Sequence, residues 1–276
     1  MPPFGVPAGI LSALSFGVGD FAGAFAARRA GALVVVAGAH GIGLMALLIA
    51  TFVVQPPFPG ADAVLVGLAA GVAGAVGLAA LYRGMSLGSM GLVTALSGAG
   101  SLAIPVAVGV LLGVQASALQ LLGIGFAAAA AVAASGASRG DLGRQALLLA
   151  GLAAVAFGAW YVLIDVAARA GDPLWALVFS RAASAGLTAL AAARRLGRGS
   201  FPVRIVGAAG LFDVGGNVLY LAARDGLPVS VAAALTGMYP VVTMLLARFV
   251  LGEHLPRLGQ LGVALALIGV LLISVG

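Results

Sequence analysis

The sequence contains no cysteine and no lysine, and charged residues make up only 8% of its 276 positions. The absence of cysteine excludes disulfides, thiol catalysis and cysteine-ligated metals. The two histidines, His40 and His254, are too few and too far apart for an ordinary zinc site. A soluble domain carries about 25% charged residues, so this chain has too few to cover a water-facing surface. The composition therefore predicts a polytopic membrane protein.

Apolar runs fill almost the whole chain, since 62% of the residues are hydrophobic. A helix needs about 20 apolar residues to cross a bilayer, and polar breaks divide the chain at roughly that spacing. The first run lacks the basic start and the cleavage site of a signal peptide, so we expect it to be retained. We predict an all-α membrane protein with ten transmembrane helices, at residues 6–27, 32–54, 62–82, 90–113, 117–135, 145–168, 173–193, 203–224, 228–251 and 256–275.

All 14 basic residues are arginines, and they cluster in the breaks between spans. The breaks after even-numbered spans hold Arg169 and Arg224. The breaks after odd-numbered spans hold eleven: Arg28, Arg29, Arg83, Arg139, Arg144, Arg194, Arg195, Arg198, Arg204, Arg248 and Arg257. Because arginines accumulate in cytoplasmic loops, we expect both chain ends on the outer side of the cell inner membrane. Membrane topology explains the net charge of +6 better than nucleic-acid binding does.

An internal repeat organises the chain. At an offset of 141 residues, Phe16-Gly17 aligns with Phe157-Gly158 and His40 aligns with Arg181. Further matches at this offset are Gly74 with Gly215, Leu78 with Leu219, Arg83 with Arg224 and Ser89 with Ser230, and at 139 they are Gly98 with Gly237, Gly113 with Gly252 and Gly123 with Gly262. Five spans is an odd number, so the second half enters the membrane upside down. We predict two inverted five-helix repeats, residues 1–138 and 139–276, with a substrate site where they meet.

Span 8 carries Asp213, Asn217 and Tyr220 on one helical face. A carboxylate near the bilayer centre costs several kcal/mol unless it is paired or hydrated. We therefore expect this face to point toward other helices or a water-filled cavity, and we prefer a substrate-binding role to helix packing alone.

Three other ionisable residues are predicted inside the membrane. Arg181 is close enough in depth to reach Asp213, so it forms either a structural ion pair with Asp213 or a site for a substrate carboxylate. Asp20 and His40 are displaced to the same side of the membrane centre and are candidates for proton coupling. A satisfied interhelical hydrogen bond is the simpler role for His40.

Aromatic and small residues add to the predicted substrate site. Trp160, Tyr161 and Tyr239 lie too deep for the aromatic belt at the membrane surface, so they stack on a ligand or fill space. Tyr82, near a span end, fits the belt. Ser97 and Ser101, with Gly98 and Pro105 beside them, correspond to the Gly237 and Pro240 region of span 9, and such matched pairs indicate weakened helices beside a binding site.

Enzyme motifs are weak in this sequence. The pattern Gly-x-Ser-x-Gly occurs at 84–88 and 136–140, but neither copy follows a strand, so the context of a nucleophile elbow is missing. We predict no catalytic residues, no metal and no cofactor.

Several short motifs occur at characteristic positions relative to the predicted spans. Phe16-Gly17 lies in the first span, Leu81-Tyr82-Arg83-Gly84 links spans 3 and 4, and Leu251-Gly252-Glu253 and Leu261-Gly262-Val263 surround the start of span 10. With the duplicated five spans, these motifs resemble the EamA-type branch of the drug/metabolite transporter superfamily. The first half has Gly113-Val114-Gln115 at the position of Gly252-Glu253, which indicates a structural role for Glu253.

The resemblance implies a central cavity lined by spans 1, 3, 4, 6, 8 and 9. It implies a secondary transporter that exports small polar metabolites, foremost amino acids, with Asp213 and Arg181 as partners for the ammonium and carboxylate. Alternatives are exchange of sugar phosphates, nucleotide sugars or drugs, and more remotely an intramembrane enzyme or a scaffold. The expected partners are a small-molecule substrate and the lipid bilayer, without nucleic acid, and the chain is compatible with a monomer.

Overall fold

The computed structural model describes residues 4–111, 113, 115–137, 140–193, 202–227, 232 and 235–276. Every long regular element in these ranges is an α-helix, which confirms the predicted class. In chain order the helices are α1 (Gly5–Ala30), α2 (Ala32–Val54), α3 (Ala61–Leu87), α4 (Met90–Leu111), α5 (Ala118–Ala137), α6 (Gly140–Ala170), α7 (Pro173–Ala192), α8 (Val203–Gly226), α9 (Tyr239–Leu251) and α10 (Arg257–Val275).

Eight of these helices are long and apolar enough to cross a bilayer over their described parts. The other two, α5 and α9, are apolar but shorter. In the predicted span 228–251, the described continuous helix begins at Tyr239, and residues 232, 235 and 236 before it are also helical. Residues 228–231, 233 and 234 lie outside the described residues. The predicted boundary between residues 138 and 139 also falls outside them.

The helix ends follow local sequence signals. The Asp172 side chain accepts a hydrogen bond from the Leu174 backbone N–H at 2.8 Å, and Pro173 occupies the first turn of α7. This is the arrangement expected of an aspartate cap followed by proline. Gly31 alone separates α1 from α2, with a positive φ of 84° that favours glycine. Arg28 and Arg29 lie in the last turn of α1, where their charge stabilises the helix terminus.

The largest helix interfaces join the first five helices to the last five. They are α3 with α6, α1 with α8, α5 with α10, α2 with α7 and α4 with α6. Glycines allow the backbones to approach closely. A Cβ at Gly71 would collide with the backbone oxygen of Ser180, and one at Gly210 would collide with that of Ala39. The two ends of the sequence are thus interleaved in one bundle.

The main apolar core lies toward one end of this bundle. Its buried members include Val35 in α2, Leu81 and Met85 near the end of α3, Met90 at the start of α4, and Ala247 near the end of α9. The arginine-rich connections lie at the same ends of these helices. Packed side chains therefore close the arginine-rich end of the protein.

Tyr82 is part of this core and does not belong to an aromatic belt, so that prediction is wrong. Its side chain is only 1% exposed. The ring lies against Gly23 of α1, where any Cβ would overlap it. Because glycine has no side chain, Gly23 of α1 leaves room for the Tyr82 ring of α3. The position of Tyr82 near a span end does not reveal this contact with another helix.

Candidate functional site

A cavity of about 370 Å³ lies between the helices on the side of the bundle away from the main core. Its wall includes residues from α1, α3, α4, α6 and α8 and from the segment 236–239, in line with the spans that the resemblance implies. Two further helices contribute that the resemblance does not imply: α2 supplies His40, and α7 supplies Pro173, Leu177 and Arg181.

The cavity runs from the middle of the helices to the end where α6 meets α7. Its deepest wall includes Leu78 of α3 and Gly98 of α4. Toward the mouth it is lined by Asp165, Ala168 and Pro173, which lie at the junction of α6 and α7. It therefore opens at the arginine-poor end, opposite to the end that the main core closes.

Arg181 and Asp213 form an ion pair on the cavity wall, as their predicted depths allow. The distance between Arg181 Nη2 and Asp213 Oδ2 is 2.5 Å, and the two side chains are 6% and 18% exposed. The pair joins α7 to α8. Because the guanidinium is so deeply buried, Asp213 is its main charge compensation in this arrangement.

His40 supports the arginine from α2. Arg181 Nη1 lies 3.3 Å from His40 Nε2, and His40 Nδ1 lies 2.5 Å from Ser184 Oγ. A guanidinium can only donate, so Nε2 accepts and the neutral ring carries its proton on Nδ1, facing Ser184. His40 thus makes the interhelical hydrogen bonds named above as its simpler role. No hydrogen bond joins it to Asp20 in the ranges that the structure describes.

The polar face of α8 borders the cavity through Asp213, Asn217 and Tyr220 together. Asn217 Nδ2 donates to the backbone oxygen of Asp213 at 2.8 Å, within its own helix. Among the described residues, none donates a hydrogen bond to the amide oxygen of Asn217, which can accept from a ligand N–H. The three-residue face predicted from their spacing is therefore turned inward.

Aromatic side chains form much of the apolar wall. Trp160 and Tyr161 contact each other edge to face at 5.2 Å, and Tyr239 contacts Phe16 in the same manner at 6.3 Å. The indole N–H of Trp160 donates to Ser180 Oγ at 3.0 Å, which fixes the ring against α7. These rings present faces and edges to any molecule in the cavity.

The two serines predicted on α4 differ in position. Ser101 borders the cavity, and its hydroxyl donates to the Gly98 backbone oxygen at 2.9 Å. Ser97 is fully buried, does not line the cavity, and donates to the Val93 oxygen at 2.8 Å. Its predicted contact with substrate is therefore not seen.

The predicted helix weakening beside the site is found in only one of the two matched places. The α4 helix continues through Pro105 to Leu111. In the second half, a turn at Gly237 and Met238 precedes α9, which begins at Tyr239. The Tyr239 hydroxyl approaches Gly98, where a Cβ would lie only 2.9 Å from it. Gly98 therefore provides space for the ring that closes this part of the wall.

Sequence reasoning missed Phe16 and Phe157 as wall residues, although both had been recognised as repeat markers. Both line the cavity. Phe16 packs on Gly216 of α8, and Phe157 packs on Gly77 of α3. Their alignment at the offset of 141 was the signal that could have found them.

Asp20 lines the cavity from α1 and differs from the other carboxylates there. Asp165 pairs with Arg169 at 2.8 Å, and Asp213 pairs with Arg181. Asp20 has no hydrogen bond or ion pair with any residue in the described part of the chain. A carboxylate that faces a cavity without a partner is available to a ligand.

Comparison with known proteins gives a family and a fold. Residues 144–275 match the model of the EamA-like transporter family. No curated protein matches the chain. A solved structure titled only "Crystal structure of protein" is similar over 97% of this chain and 95% of its own, at 17% sequence identity and a TM-score of 0.64, which shows a shared fold. Through residues 144–275 the chain belongs to the EamA-like transporter family, within the drug/metabolite transporter superfamily, which confirms the resemblance seen in its motifs.

Proposed function

We propose that this protein is a secondary transporter that exports small polar metabolites, foremost amino acids, across the cell inner membrane by alternating access. The family supplies the general activity of a membrane transporter. One observation carries the proposal: a single cavity gathers ten of the eleven site residues predicted from the sequence. They are Asp20, His40, Ser101, Trp160, Tyr161, Arg181, Asp213, Asn217, Tyr220 and Tyr239.

The packing of the helices supports two inverted five-helix halves, at about residues 1–138 and 139–276. In such a repeat, α6 is the equivalent of α1 and α8 is the equivalent of α3. The interface between α1 and α8 is then equivalent to the interface between α6 and α3, and both are among the largest helix interfaces. Close glycine contacts are also found in pairs, one in each half of the sequence. Gly71 approaches the Ser180 oxygen and Gly210 approaches the Ala39 oxygen, and Ala39 aligns with Ser180 at the offset of 141. Rocking of such halves about the central site would alternate access.

The position of the mouth supports an outward-facing state. The cavity opens at the end where α6 meets α7. The described arginines near helix ends at the other side are Arg28, Arg29, Arg83, Arg144, Arg204, Arg248 and Arg257. Because arginine-rich connections stay in the cytoplasm, the mouth faces the outside, as do both chain ends. An exporter in this state is ready to release substrate.

The size and charge of the cavity favour amino compounds over phosphorylated ones. A volume of about 370 Å³ falls in the range of roughly 300–1,000 Å³ typical of small-molecule sites. A phosphate needs free cations, and Arg181, the arginine among the described lining residues, is engaged by Asp213. Sugar phosphates and nucleotide sugars are therefore disfavoured. An ammonium group finds carboxylates at Asp20 and Asp213.

The serine of the first Gly-x-Ser-x-Gly pattern is not arranged for catalysis. Ser86 Oγ donates to the Arg83 backbone oxygen at 2.7 Å, within α3. A serine nucleophile needs a base that takes its proton, and this hydroxyl is directed to a carbonyl. This supports a transporter rather than an intramembrane enzyme. A scaffold would not require three cavity carboxylates.

The test is exchange of labelled amino acids by the purified chain in proteoliposomes. We expect Asp213→Asn to reduce the rate by about tenfold or more, because an uncompensated Arg181 would repel an ammonium group. Asp62→Asn, at the exposed start of α3, is the matched control and should exchange normally. Full activity of Asp213→Asn would remove Asp213 from the mechanism. No exchange of any amino acid by the unmodified protein would refute the proposed substrate class.

A further inference from the structure

We infer that Asp20 binds the cationic group of the substrate and that the cavity prefers organic amines without a carboxylate to zwitterionic amino acids. This inference rests on the proposed transport function and changes its foremost substrates from amino acids to amines without a carboxylate. Of the three carboxylates on the wall, Asp165 and Asp213 each have an arginine partner at 2.8 and 2.5 Å. Asp20 has no such partner among the described residues, so a cationic ligand is the partner that would stabilise its charged form.

Among the lining residues that the structure describes, none is a comparable partner for a substrate carboxylate. Arg181 is 5% exposed, is bonded to Asp213, and donates to His40. A substrate carboxylate would have to displace Asp213 from this bond and leave Asp213 uncompensated beside Asp20. Removing one member of a buried pair is costly. The carboxylate of a bound zwitterion would therefore have no charged partner in the cavity. A simple amine has no carboxylate and brings only its ammonium group.

The aromatic rings near Asp20 can bind the apolar part of such an amine. Phe16 lies one helical turn before Asp20 on α1, and its ring contacts Tyr239 edge to face at 6.3 Å. Trp160, Tyr161 and Phe157 line the facing wall. Aromatic faces attract cations within about 6 Å of the ring centroid and also bury an apolar ligand body. The geometry points to a monocationic amine that carries an aromatic or aliphatic group.

Three ligands with the same ring test this inference by calorimetry on the purified protein in detergent. Phenethylamine carries only the ammonium group, phenylalanine carries both charges, and 3-phenylpropionate carries only the carboxylate. We expect phenethylamine to bind about tenfold or more tightly than phenylalanine, and 3-phenylpropionate not to bind, because only the amine avoids a carboxylate without a partner. Asp20→Asn should weaken phenethylamine binding by about tenfold, and Asp165→Asn, on the same wall but paired, should change it much less.

The outcomes separate this inference from the transport function. If phenylalanine binds as tightly as phenethylamine, or if 3-phenylpropionate binds best, the preference for cations is refuted while amino acid exchange in proteoliposomes can still occur. If Asp20→Asn and Asp165→Asn weaken binding equally, Asp20 is not the specific partner. Absence of binding by all three ligands also overturns the inference. Failure of exchange alone refutes the transport function.

A second inference concerns the closed end of the protein. We infer that Glu253 acts as a latch that holds the arginine-rich end shut. Glu253 is the one glutamate of the chain and lies between α9 and α10. Its carboxylate accepts hydrogen bonds from the Ser89 hydroxyl, from the Met90 backbone N–H at 3.0 Å and from the Gly91 backbone N–H at 3.4 Å. These groups form the start of α4, where a negative charge is stabilised.

The latch joins the two halves of the sequence beside the main core. Ser89 and Glu253 are 164 positions apart, and Met90 belongs to that core. Opening of this end would separate the start of α4 from the segment after α9. The carboxylate would then lose three donors, so the contact specifically favours the closed arrangement.

The equivalent position in the first half cannot form this contact. At the offsets of the repeat, Ser230 corresponds to Ser89 and Val114 corresponds to Glu253. Val114 and Ser230 lie outside the described residues, but valine brings no carboxylate. The end of the bundle that holds the cavity mouth therefore lacks this latch, and the protein is biased toward the state in which that end is open.

Single-cysteine reporters can test the latch because the chain has no cysteine of its own. Met85→Cys reports on the closed end, Leu221→Cys on the cavity wall, and Ala130→Cys on the α5 side of a second buried cluster that α4, α5 and α10 form. With Glu253→Ala we expect maleimide to react about fivefold or more faster at the first reporter and more slowly at the second, with no change at the third.

The matched control is His254→Ala, since His254 is the exposed neighbour and bonds only to the Gly252 oxygen among the described residues. It should leave all three labelling rates unchanged. Ser89→Ala should act in the same direction as Glu253→Ala but more weakly, because two backbone donors remain. An unchanged rate at Met85→Cys would overturn the latch. So would a parallel rise at Ala130→Cys, which would indicate general loosening.

Discussion

Arg181 and Asp213 meet at 2.5 Å between α7 and α8, with His40 of α2 on the other side of the guanidinium. The guanidinium of Arg181 is thus contacted by α2, from the first half of the sequence, and by α8, from the second half. The pair lies on the cavity wall and joins two helices, so it both stabilises the packing of the bundle and sets the charge of the wall. Its two roles can be separated by experiment.

Loss of one partner should destabilise the protein more than loss of both. Arg181→Gln or Asp213→Asn alone leaves a partly buried charge without compensation, and we expect each to lower the free energy of unfolding by about 2–4 kcal/mol. The double variant should be less destabilised than the sum of the two. Unfolding in mixed micelles measures the three values. Additive effects would mean that the two side chains do not interact in the membrane-embedded protein.

Close helix contacts at glycine should be intolerant of even one methyl group. Gly71→Ala would place a Cβ against the Ser180 backbone oxygen, so α3 and α7 must separate, and we expect a loss of about 1–3 kcal/mol of unfolding free energy. Gly151→Ala in α6 is the matched control, since nothing lies within 4 Å of its Cβ. Alanine favours a helix over glycine by about 1 kcal/mol, so this variant should be as stable as the parent or more so. Equal stability of the two variants would contradict the close contact.

The sequence predicted how deep a side chain lies in the membrane better than it predicted which residues that side chain contacts. The rise of an α-helix placed Arg181 near Asp213, and the two do meet. Spacing also predicted that Asp213, Asn217 and Tyr220 share a face. It could not predict Ser184 as the partner of His40, because that contact depends on how α2 and α7 are rotated against each other.

Small residues on distant helices account for the other failures. Tyr82 is buried because Gly23 of α1 leaves room for its ring. Ser97 donates to a carbonyl of its own helix and does not line the cavity, and its place beside Gly98 in the sequence does not reveal this. Contacts between residues of different helices depend on the packing of the whole bundle, which a local sequence pattern does not contain.

Ligand binding should change the fluorescence of one tryptophan only. Trp160 lines the cavity, whereas Trp175 packs between Phe58 and Phe179 and donates to the Pro56 oxygen at 3.2 Å. We expect Trp175→Phe to retain the emission change caused by phenethylamine or an exchanged amino acid, and Trp160→Phe to lose it. A signal that survives Trp160→Phe would place the ligand outside this cavity.

His40 should position Arg181 without carrying a proton during transport. Its Nε2 lone pair accepts from Arg181, and a proton there would both break that bond and put a second positive charge beside the guanidinium. We therefore expect His40→Gln to lower the exchange rate severalfold, through a displaced Arg181, while the pH profile of exchange keeps its shape. Glutamine preserves an acceptor for the guanidinium, whereas His40→Leu removes it and should lower the rate further. Exchange measured in proteoliposomes between about pH 5.5 and 8 spans the ordinary titration range of histidine. If His40→Gln removed a step from that profile, the histidine would be a proton carrier, and the hydrogen bonds that hold it here would belong to only one stage of the cycle.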